Sequence, residues 1–299
     1  MLKINRKLTL FVAVVLFGIM MLFLGLSLMD FSFKSSVLSK KQTYEFLGIY
    51  HSIDIDASEI DAHIEIKQSS TGVIEYFEQD GVEIRANIVN DKFSIAQTDT
   101  RKWYDKIGLK QEKEQHITIN LPKQDYSSIK IKTKDKDIIV NSDFSSKIIK
   151  LTSVSGDITC FSSAEEAIHV TNERGDLLLN ATDFGDINIK TESGDVEVID
   201  TTAEKININS TEGDVKIQNS KSNKDLIITT RSGDVEFLSS NAKEIKITTV
   251  NGDVFGKIVG AKEFIVDGNK KKINIPESIK GGDKFYITTK RGEVKLRVY

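Results

Sequence analysis

Apolar and polar residues alternate one by one along most of the chain after Tyr44, in stretches such as "SIDIDA" and "HITINL". Strict alternation is typical of a β-strand with one buried and one exposed face, because successive side chains point to opposite sides. Isoleucine, valine and threonine fill many of these positions, and the chain has only two prolines. The pattern therefore predicts an all-β protein.

A Gly-Asp pair recurs in the second half of the chain at intervals of 19, 19, 19, 20 and 19 residues. Three degenerate copies, centred on Lys136, Lys271 and Gly292, extend the series to nine units. The positions seven and five residues before the glycine, and two and four residues after it, are apolar in these units, with Gly256 as the one exception. A fixed period of this kind indicates a repeat architecture. The six reference glycines are Gly156, Gly175, Gly194, Gly213, Gly233 and Gly252.

Each unit predicts two short strands joined by a tight turn, and a unit of this size cannot close a core alone. We therefore expect a β-solenoid (β-helix-like) of about nine 19-20-residue rungs over residues 123–299. With neighbouring strands roughly 4.8 Å apart, such a stack is roughly 38 Å long. Residues 44–122 are predicted to form a β-rich cap or the first irregular rungs.

The repeat also predicts local roles for its residues. Glycine would supply the positive φ of a sharp turn, and the aspartate would accept hydrogen bonds from turn amides. Ala203, Ala242 and Ala261 are expected as small inward contacts. The C-terminal "KLRVY" would be an exposed end of the stack, where either a cap or charge, supplied by Lys295 and Arg297, would oppose edge-to-edge pairing.

Residues 8–29 contain no charged side chain, and 22 apolar or small residues are enough to cross a bilayer as a helix. Lys3, Arg6 and Lys7 precede them, so the positive-inside rule predicts a cytoplasmic N-terminus at 1–7 and an extracytoplasmic C-terminal part. Residues 30–43 would be a tether. A cleaved signal peptide and a buried core helix are the alternatives to a single-pass transmembrane anchor.

Composition narrows the function classes. The chain has 299 residues, with 39% hydrophobic and 28% charged residues, which is ordinary for a globular protein. Without the three N-terminal cations, 38 basic residues face 44 acidic ones. This balance argues against nucleic acid as a partner, since nucleic-acid surfaces need a dense basic patch.

The aspartates that follow the glycines form one column in a stacked solenoid and are the candidate metal ligands. Like charges about 5 Å apart would be relieved by protons or by cations such as calcium. One carboxylate per rung is nevertheless far from the six to eight oxygen ligands that calcium takes, so turn capping is the simpler interpretation. The candidates are Asp157, Asp176, Asp195, Asp214, Asp234 and Asp253. We expect no other cofactor.

Three further features bear on function. The charged stretch around Trp103 and Tyr104 interrupts the alternation and predicts either a solvated loop or a partner contact. Cys160 occupies a repeat position where neighbouring units have valine and leucine, which favours a core residue over a reactive thiol. The four histidines show no metal-ligand spacing, and no nucleophile motif is present.

Units such as "TESGDVEVI" and "TTRSGDVEFL", together with "ITINLP", resemble the bacterial "putative adhesin" repeat family of unknown function. With the predicted anchor, the chain resembles LiaG-like membrane proteins, which accompany envelope-stress systems. The resemblance implies a non-catalytic binding or scaffold protein at the cell envelope and supplies no catalytic residues. A regulatory partner of membrane sensor proteins and an envelope-polysaccharide enzyme are the alternatives.

Overall fold

The computed structural model describes residues 15, 17, 20, 21, 41–46, 48, 50–58, 62–77, 81–100, 115–141, 144–180, 183–268 and 272–298. Strands dominate these residues. They are β1 Lys41–Phe46, β2 Ser52–Ala57, β3 Ala62–Ser69, β4 Gly72–Phe77, β5 Val82–Val89, β6 Lys92–Asp99, β7 Gln115–Pro122, β8 Tyr126–Thr133, β9 Ile138–Val140, β10 Ser145–Ser155, β11 Ile158–Cys160, β12 Ser163–Arg174, β13 Leu177–Asn180, β14 Asp183–Ser193, β15 Val196–Ile199, β16 Thr202–Glu212, β17 Val215–Gln218, β18 Lys221–Ser222, β19 Asp225–Ser232, β20 Val235–Ser240, β21 Glu244–Thr249, β22 Val254–Ile258, β23 Lys262–Asp267, β24 Ile273–Asn274, β25 Asp283–Thr289 and β26 Val294–Val298.

The strands form two sheets that enclose one core. Sheet A has the order β1-β4-β7-β3-β9-β11-β13-β15-β17-β20-β22-β26-β24, and sheet B has the order β23-β25-β21-β19-β16-β14-β12-β10-β8-β2-β6-β5, with β18 beside β16. One rung consists of a strand of sheet B followed by a strand of sheet A. About eight rungs stack in parallel register: those from β8/β9 to β21/β22, followed by β25/β26. The predicted all-β solenoid is therefore confirmed.

The core is built from the four predicted apolar columns. Ile129, Ile149 and Ile168 lie opposite one another on β8, β10 and β12, and each is fully buried. The same register continues through Ile187, Ile206, Leu226, Ile245 and Phe285. Identical apolar side chains stacked on one another keep a constant cross-section, which is why a short repeat builds a long continuous core.

At each end of the stack, one rung is out of chain order. At the N-terminal end, rung β2/β3 lies between β8/β9 and β6/β7, although it comes first in the chain. At the C-terminal end, rung β25/β26 lies between β21/β22 and β23/β24, although it comes last. The first and last rungs are therefore each held between two neighbours.

This order corrects the expectation for the C-terminus. The last strand β26 pairs with β22 along its whole length and with the two-residue strand β24 at Val294 and Lys295, so "KLRVY" does not belong to the outermost rung, although only its first residue pairs with β24. The edge of sheet B is β23, and a following segment covers it: the Phe264 amide donates to Ser278 Oγ at 2.9 Å, and the Ile279 amide donates to the Lys262 carbonyl at 2.9 Å. These two hydrogen bonds, one to the Ser278 side chain and one between backbone atoms, cap this edge of sheet B.

The prediction that Ala261 packs inward at this end is also wrong. Ala203 and Ala242 are buried, but Ala261 is exposed, and the next residue, Lys262, is buried in its place. Its ammonium contacts Asn241 Oδ1, the Ala242 carbonyl at 3.1 Å and Asp283 Oδ2 at 3.1 Å. Three acceptors match the three donors of an ammonium ion, so the charge is compensated although the side chain is buried. The contact links β23 with β25 and with the residues before β21, across the reordered rungs.

Little of the predicted anchor is described. Val15, Phe17, Met20 and Met21 are helical and exposed, and the rest of residues 8–29 lies outside the described residues, as do residues 1–7. Within the part of the chain that is described, no helix is both long and apolar enough to span a bilayer. The anchor and the remaining domain limits stay predictions, but β1 already begins at Lys41, inside the predicted tether.

Candidate functional site

The repeated glycines are required by close backbone stacking from rung to rung. A Cβ at Gly194 would lie 2.1 Å from the Gly175 carbonyl oxygen, and one at Gly233 would lie 1.9 Å from that of Gly213. Positive φ, the expected reason, holds for Gly175, Gly194 and Gly213, whereas Gly233 is not in that region. Every reference glycine makes such a contact. The lack of space for a side chain therefore explains why all six positions are glycine, whereas positive φ explains only some of them.

The carboxylates of the Asp column (Asp137, Asp157, Asp176, Asp195, Asp214, Asp234 and Asp253) cap the turns. Each one accepts a hydrogen bond from the backbone amide one rung further on: the Asp195 amide donates to Asp176 Oδ1 and the Asp214 amide to Asp195 Oδ1, both at 2.8 Å. The column ends where the Glu293 amide donates to Asp253 Oδ1 at 2.7 Å. These hydrogen bonds link successive turns, so the predicted capping role of the aspartates is correct. Each aspartate caps the turn of the next rung rather than its own turn.

Two histidines extend the Asp column at its N-terminal end. His63 lies opposite His116 in the register of β3 and β7, and their rings stack at 4.6 Å. His63 Nδ1 is 3.0 Å from Asp137 Oδ2. Sequence analysis missed this group, although "HIEI" and "HITI" have the same pattern as "DVEV" of the repeat. Among the described residues, no group of three or more His, Cys, Asp and Glu side chains is arranged to hold a metal ion.

A column of buried polar side chains lies three residues before each glycine and was also missed. Asn172 Nδ2 donates to the carbonyls of Gly156 and Gly175 at 3.0 and 3.1 Å, and the Gly252 amide donates to Thr249 Oγ1 at 3.0 Å. Asn172 and Thr249 thereby satisfy backbone groups of the turns inside the solenoid, whereas Thr230 Oγ1 has no hydrogen-bond partner among the described residues. The column consists of Thr133, Ser153, Asn172, Thr191, Ser210, Thr230, Thr249 and Thr289.

Cys160 is completely buried between Val140 and Leu179 of the neighbouring rungs, as predicted for a core residue. Burial raises the pKa of its thiol to about 12, with the backbone contact at Ser162 opposing the rise. A buried neutral thiol is a poor nucleophile. Trp103 and Tyr104 fall outside the described residues, between β6 and β7, where other rungs have the Gly-Asp turn.

One column of side chains on the outer surface of sheet B, here called the polar face, consists mainly of threonines. Thr171 lies opposite Lys190, and Lys190 lies opposite Asn209. The column consists of Thr152, Thr171, Lys190, Asn209, Thr229, Thr248 and Thr288. In-register strands place these groups at a repeat of roughly 4.8 Å, which makes the surface periodic.

An open cleft, here called the end cleft, lies at the N-terminal end between the last strands of the two sheets. Its volume is about 260 Å³, and its lining comes from β1, β4 and β5. Ile74 is buried, Ile84 and Tyr76 are partly buried against the core, and Tyr44 is 51% exposed. Lining residues are Tyr44, Ile74, Tyr76, Ile84, Arg85, Ala86 and Asn87.

Comparison with known proteins gives one family and several similar solved structures. The sequence matches the family described as Toastrack DUF4097 over residues 50–297. A putative adhesin from Bacteroides fragilis is similar at 15% identity, with 87% of this chain and 98% of that chain covered and a TM-score of 0.44. A putative lipid binding protein from Parabacteroides distasonis is similar at 11% identity, with 87% and 97% covered and a TM-score of 0.49. Curated proteins gave no significant match.

Proposed function

The chain belongs to the Toastrack DUF4097 family, and we propose that it is a single-pass membrane protein whose solenoid lies outside the cell. There it acts as a non-catalytic binding or scaffold protein of the bacterial envelope, in the response to envelope stress. The charge-free stretch at residues 8–29 and the three cations before it support the anchor and its orientation. The stress role rests on the resemblance to LiaG-like proteins.

The observation that carries the binding role is the polar face. Thr171, Asn209 and Thr229 are exposed in one column on β12, β16 and β19, with Lys190 of β14 between the first two, and each offers hydrogen-bonding groups at the same height of its rung. A repeating polymer such as an envelope glycan presents its own hydrogen-bonding groups periodically. Many weak contacts along matched repeats add up, so affinity can be high without a deep pocket.

Binding is tested by sedimenting purified full-length protein, held in detergent micelles, with insoluble cell-wall material. We expect the protein in the pellet and no sugar released into the supernatant. The variant Thr171→Glu/Asn209→Glu/Thr229→Glu should remain in the supernatant. The matched control Thr159→Glu/Asn180→Glu/Gln218→Glu changes half-buried residues on sheet A by the same charge and should pellet normally.

Contrary results are equally clear. Wild-type protein that stays in the supernatant would contradict wall binding and favour a membrane-protein partner, to be sought by crosslinking in intact cells. Sugar release would favour the enzyme. Loss of pelleting on calcium chelation would assign the Asp column an ion, although one oxygen of each of its carboxylates already accepts a backbone amide.

A further inference from the structure

The end cleft exists because the two sheets end unequally. Beyond rung β6/β7, sheet A continues with two strands, β4 and β1, whereas sheet B continues with β5 alone. No described strand of sheet B therefore lies opposite β1. Tyr44 on β1 faces the same side as buried Ile74, its partner in the register with β4, yet Tyr44 is 51% exposed. The end cleft is thus a core position that the described residues leave uncovered.

The lining of the end cleft is partly apolar and partly polar. Ile74, Ile84 and Ala86 supply apolar walls from β4 and β5, and Arg85 of β5, which is ion-paired with Glu83 at 3.0 Å, also lines the cleft. An amphiphile with an apolar chain and a phosphate-containing head matches this arrangement, because a guanidinium such as that of Arg85 binds phosphate oxygens.

The position of the end cleft in the chain brings it near a bilayer. Its wall β1 begins at Lys41, and the charge-free stretch ends at Met29, with eleven residues between them. Eleven extended residues reach at most about 40 Å at 3.3–3.6 Å each. If residues 8–29 are the anchor, the N-terminal end of the solenoid must stay within that distance of the membrane surface. Phe77 and Val89, on the same cap, are 38% and 61% exposed.

We propose that the end cleft binds an acyl chain of a membrane phospholipid, with the phosphate head at Arg85, so that the cap rests on the bilayer. The proposal depends on the anchor in the proposed function for the proximity of lipid. Covering the apolar walls removes them from water, the usual driving force for such binding. The solenoid would then stand on the membrane, with the polar face free along its side.

The test reconstitutes the full-length protein in liposomes containing a phospholipid with a photoactivatable diazirine in its acyl chain. After illumination, labelled peptides are mapped by mass spectrometry. We expect label on residues 8–29 and also on peptides carrying Tyr44 and Ile84. The variant Ala86→Trp, which fills the end cleft, should reduce cleft labelling about ten-fold and leave labelling of residues 8–29 unchanged.

Two further variants keep the test decisive if Ala86→Trp fails to fold. Tyr44→Asp alters an exposed rim position and should also reduce cleft labelling, whereas Thr171→Trp on the polar face should not. Label confined to residues 8–29 would overturn the proposal and leave the anchor intact. Label on the cleft without residues 8–29 would support lipid binding and contradict the anchor. Absence of label from both would overturn both.

Discussion

Replacing Gly233 by alanine separates close stacking from backbone conformation as the reason for the repeated glycines. Gly233 is not in the positive-φ region, yet an added Cβ would lie 1.9 Å from the Gly213 carbonyl oxygen. Ordinary carbon–oxygen contacts are longer than 3 Å, so the two turns must move apart by more than 1 Å. The substitution therefore measures steric cost alone.

The cost follows from the hydrogen bonds that hold the two turns together. The Gly213 amide donates to the Ser232 carbonyl at 3.1 Å, the Val215 amide to the Asp234 carbonyl at 2.8 Å and the Asp234 amide to Asp214 Oδ1 at 2.8 Å. Two neutral bonds at about 1 kcal/mol each and one charge-assisted bond at about 2 kcal/mol give about 4 kcal/mol if all three are lost.

Gly281→Ala is the matched control. Gly281 has φ +85° and no atom within 4 Å of an added Cβ, so only the left-handed backbone penalty of about 1–2 kcal/mol applies. Urea unfolding of both full-length variants, followed by far-UV circular dichroism, gives the two free energies of unfolding. Equal losses, or a larger loss for Gly281→Ala, would refute the stacking argument.

The remaining predictions concern the Asp column, the buried thiol and the buried lysine. Asp195→Ala should cost about 2 kcal/mol in urea unfolding because the Asp214 amide loses its acceptor, whereas Asp195→Asn keeps an oxygen there and should cost less. Because burial raises the Cys160 pKa from 9.0 to about 12, the unfolded state loses the thiol proton first. The contribution of Cys160 to the free energy of unfolding is therefore complete below pH 9 and is lost as the pH rises towards 12. Compared with Cys160→Val, the wild type should lose about 1.4 kcal/mol of this free energy per pH unit in that range. Lys262→Met should speed amide hydrogen exchange in β23 and β25, and Asp283→Asn should do so less because two acceptors remain; equal exchange in wild type and Lys262→Met would contradict the linking role of this lysine.

The repeating part of the fold was predictable because each rung has the same chemistry. Apolar side chains at fixed offsets from the glycine have to face inward, and the register of Ile149 with Ile168 and Ile187 follows from identical units. The capping role of Asp195 was foreseen, but its bond to the next rung was not, since that depends on how closely two turns approach.

The order of the rungs at the two ends of the stack could not be predicted from the sequence repeat. Rungs β25/β26 and β23/β24 have similar apolar columns, so the pattern does not distinguish their order, which depends on contacts such as Lys262 with Asp283. His63 and His116 were missed because the Gly-Asp pair, used to find the rungs, is absent before them. The end cleft depends on the number of cap strands in each sheet, which alternation alone does not specify.

The central functional claim is that the solenoid lies outside the cell on an uncleaved anchor. The direct measurement is protease treatment of intact cells that produce the full-length protein with a C-terminal epitope tag, followed by immunoblotting. The account predicts that the tag is lost from intact cells, while untreated membranes retain the full-length chain. A tag that is protected until the membrane is opened, or a chain shortened by the N-terminal segment and released from the membrane, would contradict it.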